Sequence, residues 1–130
     1  REAVDLRREN RAFVFFHEAA LSPHDESVGA QGVALTPGRS VAIDHNVHDF
    51  GTPIWIDARL PIDSEKPDTV FRQLTVAQDT GTAIVGPARA DIYFGIGEEI
   101  GHVAGRIKQH GQFVMLVPQA LAVTGVAASR

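Results

Sequence analysis

The stretch AQDTGTAIVGPARADIYFG, residues 77–95, holds the features that decide the expected fold. It continues the alternating segment FRQLTVAQD, which is typical of a half-buried β-strand. Two glycines and a proline then mark a turn, and an apolar run closed by glycines predicts a second short strand. Asp79 and Asp91 stand where the intervening loop begins and ends. The sequence therefore predicts two strands joined by a loop, with a carboxyl group at each boundary.

The composition limits the kinds of protein that this chain can be. Its 130 residues are enough for one domain, and 44% hydrophobic with 22% charged residues is ordinary for a globular protein. The net charge of −4 offers no basic face, so we expect no nucleic-acid partner. There is no cysteine, which excludes disulfides and thiolate metal sites. No apolar run is long enough to span a membrane, so membrane attachment is expected only through an anchor outside this chain.

Short strands and turn signals follow one another along most of the sequence. The triplet TPG at residues 36–38 fits a type II turn between two strands in residues 31–44, because proline suits the first central position and glycine the second. Residues 60–68 are polar and contain prolines, which predicts a surface loop. The other predicted strands are residues 13–18, 51–57, 71–79, 90–97 and 112–118.

One helix is expected, from Glu98 to about Lys108, with acidic residues in its first turn. About six short strands and one helix predict a mainly β domain, either a small barrel or a sandwich. We expect this domain to occupy residues 11–118, and residues 119–130 to form a loose tail. Residues 1–10 are a lead-in, which starts without methionine and is expected to continue from a missing upstream domain. The apolar residues at helical spacing are Ile100, Val103, Ala104 and Ile107.

The triplet DTG at residues 79–81 is the signature of retroviral-type aspartic proteases, in which two such loops meet and share one proton. A chain with one copy would have to form a homodimer. Gln78 stands where those proteases usually have an apolar residue, and the nearest bracing element, at residues 103–106, follows too closely. Because a three-residue motif also arises by chance, a dimeric aspartic protease is the third-ranked hypothesis.

Four longer motifs occur in a fixed order: GVALTPGRSVAID, GTPIWID, VAQDTGTAIVGPARADIYFG and GRIKQHGQFVMLVP. In this order and with these gaps they resemble the C-terminal three-aspartate (3D) domain of the membrane-bound lytic murein transglycosylase A family. FVFFHE, residues 13–18, is similar to the segment that leads into that domain. The resemblance covers about residues 11–118 and implies a six-stranded double-psi β-barrel with one short helix.

The same resemblance implies a set of site residues. The three aspartates that name the family match Asp44, Asp79 and Asp91, and Asp91 stands at the position of the catalytic acid. Asp44 and Asp79 are then supporting residues of the active site, although aspartate beside glycine or threonine also caps turns. The loop departs from the family pattern at Thr82, where a second glycine is frequent, and at Val85, where a lysine is frequent.

The implied reaction is cleavage of the β-1,4 bond between N-acetylmuramic acid and N-acetylglucosamine without water, which leaves 1,6-anhydromuramic ends. The 6-hydroxyl of the muramic acid is an internal nucleophile, so its effective concentration is high. A single carboxyl group, that of Asp91, can therefore protonate the leaving oxygen and then accept the hydroxyl proton. Such an acid must hold its proton at working pH, and we expect the apolar residues around Asp91 to bury it.

Three further residues are expected to bind substrate. Tyr93 is suited to stacking on a sugar ring, while Gln78 and Arg89 flank the two key aspartates, although a solvated role for both is an open alternative. The segment DHNVHD, residues 44–49, suggests a metal cluster, but zinc needs three or four converging ligands and polar residues collect in turns anyway. We expect neither a metal nor a cofactor.

The leading hypothesis is a peptidoglycan lytic transglycosylase domain on the periplasmic side of the bacterial outer membrane. Its expected partners are peptidoglycan glycan strands and the missing N-terminal part of the same protein. The alternative is a glycan-binding barrel without catalysis, like those of expansin-like proteins. Murein products with 1,6-anhydro ends would favour the enzyme, whereas bound but uncut glycan would favour the binding module.

Overall fold

The computed structural model describes residues 27–121, which form a mainly β structure with one α-helix. The strand predicted at residues 13–18, the lead-in and residues 122–130 of the tail lie outside the described residues. The elements are β1 (Ser40–Ile43), β2 (Pro53–Leu60), β3 (Thr69–Thr80), β4 (Asp91–Ile92), α1 (Glu98–Arg106), β5 (Gly111–Met115) and a 3-10 helix (Gln119–Leu121).

Strands β2 and β3 form a long antiparallel hairpin that organises the sheet. In β2 every second side chain is buried, which is the period expected when one face of a strand packs on a core. The hairpin partner of Ile54 is Thr75, whose hydroxyl donates to the Ile54 carbonyl at 2.9 Å. The two strands are joined by residues 61–68, which confirms the predicted surface loop. The buried residues of β2 are Ile54, Ile56, Ala58 and Leu60.

The five strands make one sheet in the order β4-β1-β3-β2-β5. Strand β1 runs parallel to β3, and every other neighbouring pair is antiparallel. Strands β4 and β5 are the two edges, so the sheet formed by residues 27–121 is not closed. The described part of the chain is therefore an open five-stranded sheet rather than a complete six-stranded barrel.

Residues 31–35 do not form the strand that the sequence predicts. The described chain there has only an isolated bridge between Val28 and Ala34, because Gly29 and Val33 close a tight hairpin with a hydrogen bond of 2.9 Å. Gly32, at the tip, has a φ of 82°, which L side chains rarely adopt. The chain therefore reverses its direction within residues 29–33, and residues 31–35 do not extend as a strand.

The turn before β1 agrees with the sequence-based prediction. The Arg39 amide donates to the Thr36 carbonyl at 3.0 Å, and Gly38 has a φ of 67° at the second central position. This combination is the geometry of a type II turn, in which glycine avoids the steric cost of a positive φ.

The core lies on one face of the sheet, and α1 covers it only partly. No residue of α1 is buried, and Ile107, which ends the helix in an extended conformation, packs against the core instead. Arg106 fixes the end of the helix by donating to the Pro61 carbonyl at 3.1 Å. No helix within residues 27–121 is long and apolar enough to cross a membrane. The fully buried residues at the core centre are Val41, Ile43, Ile54 and Ala77.

Candidate functional site

A β-bulge at the end of β3 sets the position of Asp79. Val41 of β1 pairs with Ala77, but the next residue, Ala42, pairs with Asp79, so Gln78 is the extra residue on the β3 side. A bulge of this kind re-aims the side chains that follow it. Without it, Gln78 would take the position opposite Ala42.

The bulge aligns Asp79 with Asp91 across the sheet. Ala42 of β1 is the register partner of Asp79 on one side and of Asp91 on the other. Two strand spacings then separate the two aspartate backbones, or roughly 10 Å. Both residues line a cavity of about 250 Å³, together with Tyr93 and residues 40–42 of β1. We call it the small cavity.

The carboxylate of Asp79 holds the hairpin of residues 27–35. Its Oδ1 accepts a hydrogen bond from the Ala30 amide at 2.9 Å, and the neighbouring Gln78 carbonyl accepts one from the Gln31 amide at 3.1 Å. The hairpin lies so close that a Cβ on Gly29 would be 2.4 Å from the Gln78 carbonyl oxygen. Asp79 therefore fixes one wall of the small cavity.

The carboxylate of Asp44 is buried and holds a different loop. Its Oδ2 accepts from the Gly86 amide at 2.8 Å, and its Oδ1 accepts from the Asn46 amide at 3.0 Å. These bonds favour the charged carboxylate, so the Gly86 amide first, and then the Asn46 amide, lower the pKa of Asp44 below its ordinary value. Asp44 does not line the small cavity. Its hydrogen bond to Gly86 instead holds the loop that precedes Asp91.

Asp91 is more exposed than the sequence suggests. About half of its side chain (52%) is accessible, and its Oδ1 lies 3.3 Å from Nε of Arg89. Ala90, Ile92, Tyr93 and Phe94 were expected to bury the carboxyl group, but Ala90, Ile92 and Phe94 pack against the core and Tyr93 lines the small cavity. The expectation of an apolar shell around Asp91 is therefore wrong for residues 27–121.

Asp91 and Arg89 also border a larger groove of about 590 Å³. The two edge strands β4 and β5 both line it, and Ile107 after α1 completes one side. Its apolar floor belongs to β2, while polar side chains form its rim. Asp91 thus stands between the groove and the small cavity. The polar rim residues besides Arg89 and Asp91 are Lys108, Gln109, His110 and Gln112.

The three predicted substrate contacts are placed differently. Tyr93 is half-buried in the small cavity, with its hydroxyl 3.5 Å from the Ser27 amide. Arg89 reaches the groove beside Asp91. Gln78 lines neither cavity, because its side-chain oxygen accepts the Ser40 hydroxyl. The structure thus brings Tyr93 and Arg89, but not Gln78, to the two cavities.

The histidines of DHNVHD bind separate partners. Nδ1 of His45 lies 3.2 Å from the Thr80 hydroxyl, whereas Nε2 of His48 lies 2.7 Å from the Pro87 carbonyl oxygen. Within residues 27–121 no three histidine, aspartate or glutamate side chains are arranged to hold a metal ion. Sequence reasoning considered His48 only as a metal ligand and overlooked the rim of the groove. The rim had a signal, since residues 108–112 belong to the motif GRIKQHGQFVMLVP.

Comparison with known proteins shows the family to which this chain belongs. The sequence profile of the 3D domain family matches residues 39–117, which include all three aspartates. Membrane-bound lytic murein transglycosylase A of Escherichia coli K12 is 35% identical over 116 residues, which are 88% of this chain but 31% of that protein. The chain therefore spans less than a third of that relative.

Solved structures show the same relationship. A membrane-bound lytic murein transglycosylase from Agrobacterium tumefaciens is 37% identical, with a TM-score of 0.76 over 92% of this chain and 32% of its own. Escherichia coli MltA with bound chitohexaose is 33% identical, with a TM-score of 0.75 over 88% of this chain and 33% of its own. The chain therefore belongs to the 3D domain family, in the form that membrane-bound lytic murein transglycosylase A proteins contain.

Proposed function

We propose that this chain is the catalytic barrel domain of a peptidoglycan lytic transglycosylase. The observation that carries the proposal is the carboxyl group of Asp91, which stands between the groove and the small cavity in a chain of the 3D domain family. A glycan strand in the groove would meet an apolar floor and a polar rim, which suits the two faces of a sugar ring.

Asp91 acts first as an acid and then as a base in this proposal. Its proton passes to the glycosidic oxygen as the bond to C1 of the muramic acid breaks. The muramic 6-hydroxyl attacks C1, closes the 1,6-anhydro ring and returns a proton to the carboxylate. Because the nucleophile belongs to the substrate, the second carboxyl group of an ordinary glycosidase is not needed. The half-exposed carboxyl group is open to a glycan, which would cover it on binding.

The other aspartates support the site at a distance. We assign to Asp79 the placement of the hairpin of residues 27–35, since its carboxylate binds the Ala30 amide. We assign to Asp44 the placement of the loop before Asp91, since its carboxylate binds the Gly86 amide. Tyr93 and Arg89 are the proposed substrate contacts, and the bonded side chain of Gln78 is the weaker candidate.

The remainder of a longer protein is proposed to complete the barrel and the groove. Both edge strands, β4 and β5, line the groove, so a further strand placed there would close the sheet. The relatives named above, of which this chain covers about a third, have sequence to supply it. Their names describe membrane-bound murein enzymes, so we propose a place in the bacterial cell envelope, facing the periplasm, with glycan strands as the partner.

A glycan-binding module without catalysis is the second candidate. The ion pair between Arg89 and Asp91, with half of each side chain exposed, favours it, because a paired surface carboxylate is better suited to binding polar groups than to donating a proton. The aspartic protease is not proposed, since Oδ1 of Asp79, which would have to face the same residue of a second copy, is bonded to the Ala30 amide of the hairpin.

The test compares the complete natural protein that carries this chain with its Asp91→Asn variant on purified murein. The amide keeps the shape of the side chain but cannot supply the proton, so cleavage should fall by about 10² to 10⁴-fold without loss of folding. Asp57→Asn is the matched control, because Asp57 pairs with Arg72 on the other face of the sheet. Mass spectrometry of the products should show 1,6-anhydro ends. Hydrolysed ends, uncut glycan, or full activity in Asp91→Asn would overturn the proposal.

A further inference from the structure

The loop of residues 81–90 carries Arg89 and leads into Asp91, so its position decides where both side chains stand. Its own backbone bonds are sparse. The turn at its start is closed by a hydrogen bond of 2.9 Å from the Ile84 amide to the Gly81 carbonyl. Pro87 has no amide hydrogen, so that residue can be anchored only through its carbonyl oxygen. The loop therefore depends on side chains from elsewhere.

Two side chains from the turn after β1 supply that anchorage. Oδ2 of Asp44 accepts from the Gly86 amide, and Nε2 of His48 donates to the Pro87 carbonyl at 2.7 Å. Consecutive residues of the loop are thus bonded to one turn, one through its N–H and the next through its C=O.

His48 is itself held firmly enough to act as an anchor. Its amide donates to the Asp44 carbonyl at 3.0 Å, and its residue is only 7% exposed. Its ring lies 6.0 Å from the ring of Phe113, which lines the groove from β5. His48 therefore lies in the β1–β2 turn and contacts both the loop before Asp91 and the edge strand β5.

In the hydrogen bond between His48 and Pro87, Nε2 of His48 is the donor. The Pro87 carbonyl oxygen can only accept, so Nε2 of His48 must carry hydrogen. Both the neutral Nε2–H form and the doubly protonated ring satisfy this requirement. Glutamine places an amide N–H at nearly the same distance from the backbone, whereas phenylalanine fills the ring volume without a donor.

We propose that His48 is a positioning residue for Asp91, acting through the Pro87 carbonyl on the loop of residues 81–90. The inference rests on the proposed function, because positioning matters for the reaction only if Asp91 performs it. It adds a residue outside the three aspartates and gives the second histidine of DHNVHD a role other than metal binding. A donor at this position fixes the carboxyl group of Asp91 relative to the groove.

The test uses His48→Phe and His48→Gln in the complete natural protein, with His102→Phe on the exposed face of α1 as the matched control. His48→Phe should lower kcat for murein cleavage by at least about tenfold with a smaller change in KM, since misplacing the reacting group costs rate, whereas Arg89 is one of several proposed substrate contacts. His48→Gln should recover most of kcat, and His102→Phe should match the parent. Equal losses in His48→Phe and His48→Gln, or parental kcat in His48→Phe, would overturn the proposal.

A second measurement separates this proposal from the proposed reaction. Amide hydrogen exchange of residues 84–89 needs no substrate and reports how firmly the loop is held. In His48→Phe it should be faster by about tenfold or more, while β2 and β3 keep the parental rates. If cleavage is absent in every variant but the loop still loosens only in His48→Phe, the reaction is wrong and the anchorage stands. Unchanged exchange in the loop of His48→Phe would refute the anchorage.

Discussion

At the scale of single residues, three aspartates that look alike in the sequence occupy three different environments. Asp44 is a buried acceptor of backbone amides, Asp79 bonds one amide, and Asp91 pairs with Arg89 at the edge of the groove. Their selection as site residues followed from the family resemblance. Their distinct surroundings could not be predicted, because the partners of Asp44 and Asp79 come from residues 42 and 49 positions away.

The environment of Asp44 predicts a pH-dependent stability. Its pKa is lowered in the folded state, chiefly by the Gly86 amide, so its contribution is complete above the ordinary value of 3.8 and is lost as pH falls below that value. Asp44→Asn replaces one carboxylate oxygen by an NH2 group, so a donor faces one of the two backbone donors, the Gly86 amide or the Asn46 amide. We therefore expect a lower urea midpoint for Asp44→Asn at neutral pH and a shrinking difference from the parent in acid.

Urea unfolding at several pH values from about 7 down to about 3 checks this expectation. Asp57→Asn serves for comparison, since the exposed pair of Asp57 with Arg72 should contribute little at any pH. A difference between parent and Asp44→Asn that stays constant down to the most acid condition would show that the charge of Asp44 does not stabilise the fold.

At the scale of elements, the predictions that depend on residues close together in the sequence were the ones confirmed. The predicted strand at residues 51–57, the turn at Gly38 and the polar loop of residues 60–68 were confirmed with small shifts of their bounds, because each depends on neighbours a few positions away. The predicted strand at residues 31–35 was wrong, since Gly32 reverses the chain at its positive φ. The bulge at Gln78, which aligns Asp79 with Asp91, depends on pairing with β1 and leaves no local signal.

Helix α1 begins at Glu98, as the sequence predicted. It contains two glycines, and replacing either of them should increase the stability of the protein. A Cβ at Gly101 or Gly105 would meet no atom within 4 Å, and neither residue has a positive φ. Alanine loses less backbone entropy than glycine in a helix. Gly101→Ala and Gly105→Ala should therefore each stabilise the protein by about 0.5–1 kcal/mol.

Chemical denaturation of the single variants measures these increments directly. Gly97→Ala is the contrasting substitution, because Gly97 precedes the helix with a φ of 108° and alanine there should destabilise the protein. Destabilisation by Gly101→Ala and Gly105→Ala would mean that this face of the helix packs against another part of the protein.

At the scale of the whole molecule, the sheet has two surfaces that residues 27–121 leave uncovered. One is the groove between the edge strands. The other is the outer face of the hairpin, where Trp55 is the register partner of both Leu74 and Val114. These three residues remain 39%, 40% and 48% exposed and lie side by side on the outer face of the sheet. Hydrophobic alternation predicted the buried face, but it carries no information about what covers the opposite one.

The open groove leads to the last prediction, that residues 1–130 alone cleave murein poorly. Catalysis needs several sugars held so that the muramic 6-hydroxyl faces C1, and a groove with one wall holds them loosely. Within residues 27–121 the open sheet supplies the wall that carries Asp91, and no further strand pairs with the outer edges of β4 and β5. Murein turnover by residues 1–130 should therefore be at least about tenfold slower than turnover by the complete natural protein at equal concentration. Circular dichroism and urea unfolding establish first that the isolated chain is folded. A folded chain that matches the complete protein in rate would show that residues 1–130 already contain the whole active site, and that the rest of the protein contributes nothing to the reaction.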